Sequence, residues 1–176
     1  MELLRLLPEF IDMRSFSNLW FWIVLAVMWS RASHRVLGVP WDLVARARRG
    51  NDPQAVEDVV ALATISSRRF VHIGRTGGPA LTTLIFAVAT ALLVLGFGYG
   101  LQIAQALSLL LLPMLLVGTL ARRKAVLVLQ GGLSTPAIFR LLSRQRIAVQ
   151  LIGMLAIFVT SLWGMYQNLF SSILGN

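Results

Sequence analysis

The chain contains no cysteine, which excludes disulfides, thiolate metal sites, iron–sulfur clusters and cysteine nucleophiles. Imidazole is nearly as scarce: His34 and His72 are the two histidines, and both fall outside the long apolar runs. A buried haem would need its ligands within those runs, so surface or packing roles are expected for both. Carboxylates are few, seven against 16 Lys and Arg, for a formal charge of +9. No Asp, Glu, Lys, Arg or His interrupts any of the apolar runs described below. Pumps and proton-coupled carriers keep ionisable groups inside their spans despite the cost, so this absence argues against both. Internal repeats are missing too, which removes support for an inverted-repeat transporter. With no catalytic constellation and no ligand set, the expectation is a non-enzyme without cofactor or metal.

Apolar residues, by contrast, make up 57% of the 176 positions. Pro79 to Tyr99 runs 21 residues without a charge, Leu101 to Leu120 runs 20, and Ile147 to Phe170 runs 24. About 20 such residues make a helix that crosses the roughly 30 Å hydrocarbon core. Ser15 to Ser30 adds 16 uncharged residues between Arg14 and Arg31, including Trp20, Trp22 and Trp29. Snorkelling flanks and local thinning let a bilayer accept a span that short. The expected fold is therefore all-α and polytopic. Four transmembrane helices (15–30, 79–99, 101–120 and 147–170) form one integral membrane domain over 1–176, with loops at 31–78 and 121–146. Glu2, Arg5, Glu9 and Asp12 break up the first apolar stretch, so a permanent anchor is expected rather than a cleaved signal. Their spacing puts them on one face of a helix lying in the outer interface, or of a simple extension of the first span.

The basic residues set the orientation. Arg31, Arg35, Arg46, Arg48, Arg49, Arg68, Arg69 and Arg75 lie in the first loop. Arg122, Arg123, Lys124, Arg140, Arg144 and Arg146 lie in the second, leaving only Arg5 and Arg14 elsewhere. Lys and Arg accumulate on the cytoplasmic side, so both loops should be cytoplasmic and both termini periplasmic. In a soluble protein +9 would point to nucleic acid; so distributed, it points to a membrane surface, and no nucleic-acid partner is expected. The 15 Arg against one Lys fit a GC-rich bacterial genome, and the inner membrane of a Gram-negative bacterium is the expected location.

In the first loop, Pro40 and Asp42 open a short basic helix, Trp41 to Arg49, closed by Gly50. Asp52 reads as an N-cap with Pro53 at the first helical position. Val56, Val59, Val60 and Ala63 form the apolar stripe of that second helix, and Arg68 and Arg69 suit its negative end. Both helices are expected to be amphipathic and interfacial, with Trp41 at headgroup depth. Gly77, Gly78 and Pro79 break the chain; Gly96, Gly98 and Gly100 form a tight hairpin, and Pro113 should kink the third span. After Gly131 and Gly132, Ser134 or Thr135 starts a helix that runs on into the fourth span.

Gly96-Phe-Gly-Tyr-Gly100 follows an apolar helical run rather than a strand and lacks a third glycine at the spacing a dinucleotide loop requires, so it is expected to be a turn. Ile73-Gly-Arg-Thr-Gly-Gly78 sets an arginine and free N–H groups before a helix, either a headgroup cradle or a plain loop. Gln102 and Gln105, with Gln150, Thr160, Ser161 and Asn168, bond helices together or line a substrate path. Small residues recur at Thr83, Ala87 and Ala91, and again at Ala156, Thr160 and Gly164, where backbones can approach closely.

The stretches Phe16-Ser-Asn-Leu-Trp-Phe-Trp22, Trp29-Ser-Arg-Ala-Ser-His34 and Gly38-Val-Pro-Trp-Asp42 are similar to four-span inner-membrane proteins of alphaproteobacteria. Those proteins are sometimes labelled as components associated with the Sec translocase. The resemblance covers the first third of the chain and implies a compartment and a source; it carries over no functional residue. The functional expectation is an accessory or assembly subunit of a larger inner-membrane complex that binds anionic phospholipid. Its lipid- or partner-binding residues would be Arg46, Arg48, Arg49, Arg68, Arg69 and Arg75, with Arg122, Arg123 and Lys124 opposite. The alternatives are a translocation or membrane-protein biogenesis factor and a small transporter.

Overall fold

The computed structural model describes residues 19–50 and 52–174. Its elements are α1 (Leu19–His34), a minimal hairpin of β1 (Arg35–Val36) and β2 (Val39–Pro40), α2 (Trp41–Arg48), α3 (Pro53–Thr76), α4 (Gly78–Leu93), α5 (Gln102–Leu129) and α6 (Thr135–Leu174). The protein is thus all-helical apart from that hairpin. Three stretches are long and apolar enough to cross a membrane: Gly78–Gly98, Gln102–Leu129 and Thr135–Leu169. The described part of the first expected span is α1, 16 residues long. Residues 15–18 and the expected interfacial helix over 1–14 lie outside the described residues.

Local chemistry explains most boundaries. Asp52 caps α3, its Oδ1 accepting from Ala55 N at 3.1 Å, with Pro53 just inside where a missing N–H costs nothing. In the hairpin, Arg35 faces Pro40 and Val36 faces Val39. Leu37 and Gly38 both turn with positive φ, 50° and 79°. Gly38 is also hemmed in: a Cβ there would run into the Ser66 side chain on α3. α4 ends in a π-helical turn, Val94–Gly98, and the chain re-enters as α5 after Gly100 at φ 74°. Gly96 in that turn is buried, and a Cβ on it would lie 2.8 Å from Gln105 N. Pro113 sits inside an unbroken α5.

α6 is one helix of 40 residues. At 1.5 Å per residue such a helix is about 60 Å long, twice the hydrocarbon thickness. The excess has a definite use. Residues 121–129 of α5 and 135–146 of α6 continue beyond the apolar runs and pack with the hairpin, α2 and α3. We call this assembly the head and the apolar lengths of α1, α4, α5 and α6 the stem. The expected loops at 31–78 and 121–146 are therefore mostly helix.

The head has a core of its own: Val36, Leu37, Val39, Val44, Ala47, Ala55, Val59, Ala63, Ala125, Ile138 and Leu142. The most buried ridge of α3 is Ala55, Val59, Ala63 and Ser67, at i, i+4 spacing. It shares Val59 and Ala63 with the expected stripe, whose Val56 and Val60 pack at its edge. The second core lies in the stem, where Leu25 and Trp29 of α1 meet Val149 and Ala156 of α6, with Leu110, Met114 and Val117 of α5 against them. Gly153 lets this happen: a Cβ there would sit 2.7 Å from Trp29 Cε3.

Candidate functional site

Fourteen of the basic residues fall among the described residues, together with four carboxylates, Asp42, Asp52, Glu57 and Asp58. The described residues contain a single ion pair, Arg46 Nε to Asp52 Oδ2 at 3.6 Å. That pair is exposed, and such pairs contribute at most about 1 kcal/mol. The rest of the positive charge stands without a carboxylate partner among the described residues.

The structure separates the expected lipid- or partner-binding residues into different jobs. Arg48 on α2 is a fastener: its Nη2 donates to Phe139 O at 3.3 Å and to Ser143 Oγ, both on α6. Its guanidinium also lies 5.8 Å from the centre of the Trp41 ring, and the Arg146 guanidinium lies 4.1 Å from it. Trp41 is thereby held between two helices, a cation–π arrangement worth roughly 0.5–2 kcal/mol per cation. Arg49 is exposed at the end of α2. Arg68 and Arg69 are exposed on α3, among the exposed apolar side chains Ile65, Phe70 and Ile73.

Arg75 and Arg122 are brought together. They line one groove of about 430 Å³ between α3 and α5, with Val71, Val126, Leu129 and Gln130. Arg122 Nη2 donates to Gly74 O at 3.5 Å. Arg123 lines neither this groove nor the next and is exposed. Lys124 belongs to a different groove, about 340 Å³, between α5 and α6, with Arg140 and Arg144. Reading the sequence by clusters missed Arg140 and Arg144 as Lys124's companions. The signal was available, since the two stand four residues apart on one helix face beside Ala137 and Leu141.

The segment Ile73–Gly78 is neither cradle nor loop. α3 runs through it to Thr76, Gly77 N donates to Ile73 O at 3.1 Å, and α4 begins at Gly78. The N–H groups from Ile73 to Gly77 are held within α3 rather than free for an anion.

At the opposite end of the stem, Gln105 is buried and joins three segments. Its Nε2 donates to Gly96 O at 2.8 Å. Its Oε1 accepts from Trp163 Nε1 at 3.0 Å and from Gln167 Nε2 at 2.7 Å. The oxygen is fully used by α6, which makes Gln105 a bond between helices; Gln102 takes no part in it. Of the two small-residue stripes, Ala156, Thr160 and Gly164 on α6 are buried. Thr83, Ala87 and Ala91 on α4 are exposed.

Comparison with protein-family models, with curated proteins and with solved structures gave no match in any of the three.

Proposed function

We propose that this chain is an accessory or assembly subunit of a larger bacterial inner-membrane complex. In this reading the head is cytoplasmic and grips anionic phospholipid, four helices cross the bilayer, and both termini are periplasmic. The observation that carries it is the pairing of a basic head without carboxylate partners for most of its charge with an apolar helix that the described residues scarcely cover. Only 11% of the apolar window of α4 is buried, against 28% for α6. The exposed Thr83, Ala87 and Ala91 lie on that open helix, and small residues there let a partner helix come close. Each Lys or Arg held near an anionic leaflet adds roughly 1 kcal/mol of attraction, enough in sum to hold lipid between the subunit and its partner.

Arg68, Arg69 and Arg75 fit the same picture. With Ile65, Phe70 and Ile73 turned toward acyl chains, their guanidinium groups reach the phosphates, as expected of an interfacial helix end. A transport path through the stem is less well supported, because Gln105 already spends its oxygen on Trp163 and Gln167.

The test is to tag the chain, extract it in mild detergent and identify its companions by native gel and mass spectrometry. Stoichiometric copurification with one large complex is expected, and neutralising Arg122, Arg123 and Lys124 together should weaken retention of lipid or partner. Topology is checked in the same variant. Recovery of the chain alone, or only as a homo-oligomer, overturns the subunit reading. Crosslinks to nascent chains would favour a translocation factor instead.

A further inference from the structure

Gly74 stands inside α3, where glycine costs about 1 kcal/mol relative to alanine. Its missing side chain makes room for the head of Arg122. A Cβ at position 74 would lie 2.9 Å from both Cζ and Nη2 of that guanidinium. The same arginine donates to Gly74 O, one of the last-turn carbonyls that α3 cannot satisfy internally. Arg122 thus rests against Gly74, although its side chain is exposed. One contact uses one of the five N–H donors of the fork.

Arg75 lies beside it in the groove, and Arg75 has no hydrogen bond or ion pair among the described residues. No carboxylate lines the groove; its walls are Val71, Val126, Leu129 and the Gln130 amide. Two guanidinium groups lining one groove without a carboxylate make it positively charged, a setting that an anion neutralises.

Position along the chain says which anion. Arg75 comes three residues before α4 begins, and Arg122 two residues after the uncharged run ends at Leu120. At 1.5 Å per residue, both lie within about 5 Å of the hydrocarbon edge, inside a headgroup layer roughly 5–7 Å thick on each side. The anion found at that depth is a phospholipid phosphate, and a guanidinium fork matches its oxygens two at a time.

We infer that the groove between α3 and α5 is a built site for the phosphate of an anionic phospholipid, with Arg122, seated on Gly74, as its fork and Arg75 as its second cation. This rests on the lipid-binding reading above but is narrower. That reading needs only net charge, whereas this one needs a particular geometry.

Variants that keep the charge separate the two. Gly74→Ala pushes the flexible end of Arg122 out of its seat while adding a better helix former. Arg122→Lys keeps the cation and removes the fork. Arg35→Lys, exposed in the hairpin and outside the groove, is the control. Each protein is placed in phosphatidylcholine nanodiscs titrated with phosphatidylglycerol, and retained lipid is read by native mass spectrometry, with helicity checked by circular dichroism. Gly74→Ala and Arg122→Lys should each hold phosphatidylglycerol about tenfold more weakly than the unaltered chain. Arg35→Lys should match it.

Wild-type retention in both groove variants overturns the site. If the triple neutralisation of 122, 123 and 124 still lowers retention in that case, the general reading survives alone; if it does not, both fall. Millimolar inorganic phosphate that leaves the lipid bound supports the lipid source. Phosphate binding without any preference for phosphatidylglycerol over phosphatidylcholine overturns it in favour of a free phosphate ligand.

Discussion

In the head, the buried positions include the large side chains Val36, Val39, Val44, Val59 and Leu142, each almost wholly shielded. In the three long helices of the stem, the buried positions are mostly small or polar: Ala89, Ala104, Ala106, Ala156, Ser108, Gln105 and Thr160. The large residues Leu84, Phe86, Leu155 and Phe158 point outward there. The head is ordered by removing apolar surface from water. In lipid no such gain exists, since acyl chains are as apolar as leucine, and helices associate through close backbone approach and hydrogen bonds. One continuous helix, α6, obeys both rules in turn: Leu142 and Ile138 are buried at its start, and Ala156, Thr160 and Gly164 further along. The exception in the stem is the contact of α1 with α6, where Leu25, Trp29 and Val149 are buried, and Trp29 fits only because it lies over Gly153.

The sharpest way to break this comparison is to truncate one leucine in each region. Leu142→Ala leaves a cavity in the head and should cost about 2–5 kcal/mol. Leu155→Ala removes a side chain that faces outward and should stay within about 0.5 kcal/mol. Hydrogen–deuterium exchange over α2 and the first half of α3 in nanodiscs reads the difference. Equal exchange in the two variants would mean that the head has no independent core.

The stem should fail in the opposite direction, by added bulk. Gly96→Val drives a side chain against the backbone of Gln105 and Ala104. Backbone cannot step aside as a side-chain tip can, so about 1–3 kcal/mol is expected. Steric-trap or mixed-detergent unfolding, followed by Trp163 fluorescence, measures it. A next, smaller loss follows from Gln105→Leu, which orphans Gly96 O and the donors of Trp163 and Gln167. Membrane hydrogen bonds average about 0.6 kcal/mol and reach about 1.7, so roughly 1–2 kcal/mol is expected. A change confined to activity, with no loss of stability, would return Gln105 to a substrate path.

These sites differ in how visible they were in the sequence. The start of α3 was legible because Asp52 and Pro53 act over three residues, and capping is a local matter. The three long apolar runs were legible because a bilayer demands length and composition together. The head was not, because its core gathers residues from the hairpin, α2, α3, Ala125 and Leu142, and no single window shows that pattern. The two small-residue stripes looked alike in sequence, yet α6 buries its own and α4 exposes its own; tertiary packing makes that choice. Gly74 lies in the motif Ile73–Gly78, which in sequence admits either a headgroup cradle or a plain loop. Its partner Arg122 lies 48 residues away, beyond the reach of any motif.

The smallest expected effect sharpens the comparison on its electrostatic side. Asp52 does two things in the head: it caps α3 through Oδ1 and faces Arg46 through Oδ2. Replacement by alanine removes both and should cost about 1 kcal/mol, the usual value of an N-cap. Replacement by asparagine keeps the acceptor for Ala55 N and removes only the charge. If the exposed ion pair contributes little, as its solvation implies, Asp52→Asn should lose no more than a few tenths of a kcal/mol. That small loss should vanish in high salt, while the alanine variant's loss should persist, because a cap is a hydrogen bond and a surface ion pair is screened. Urea unfolding of the head followed by Trp41, the head's single tryptophan, separates the two. An asparagine variant as weak as the alanine one would mean that charge, rather than capping, holds the start of α3. The head's order would then depend on the same electrostatics that bind it to the membrane.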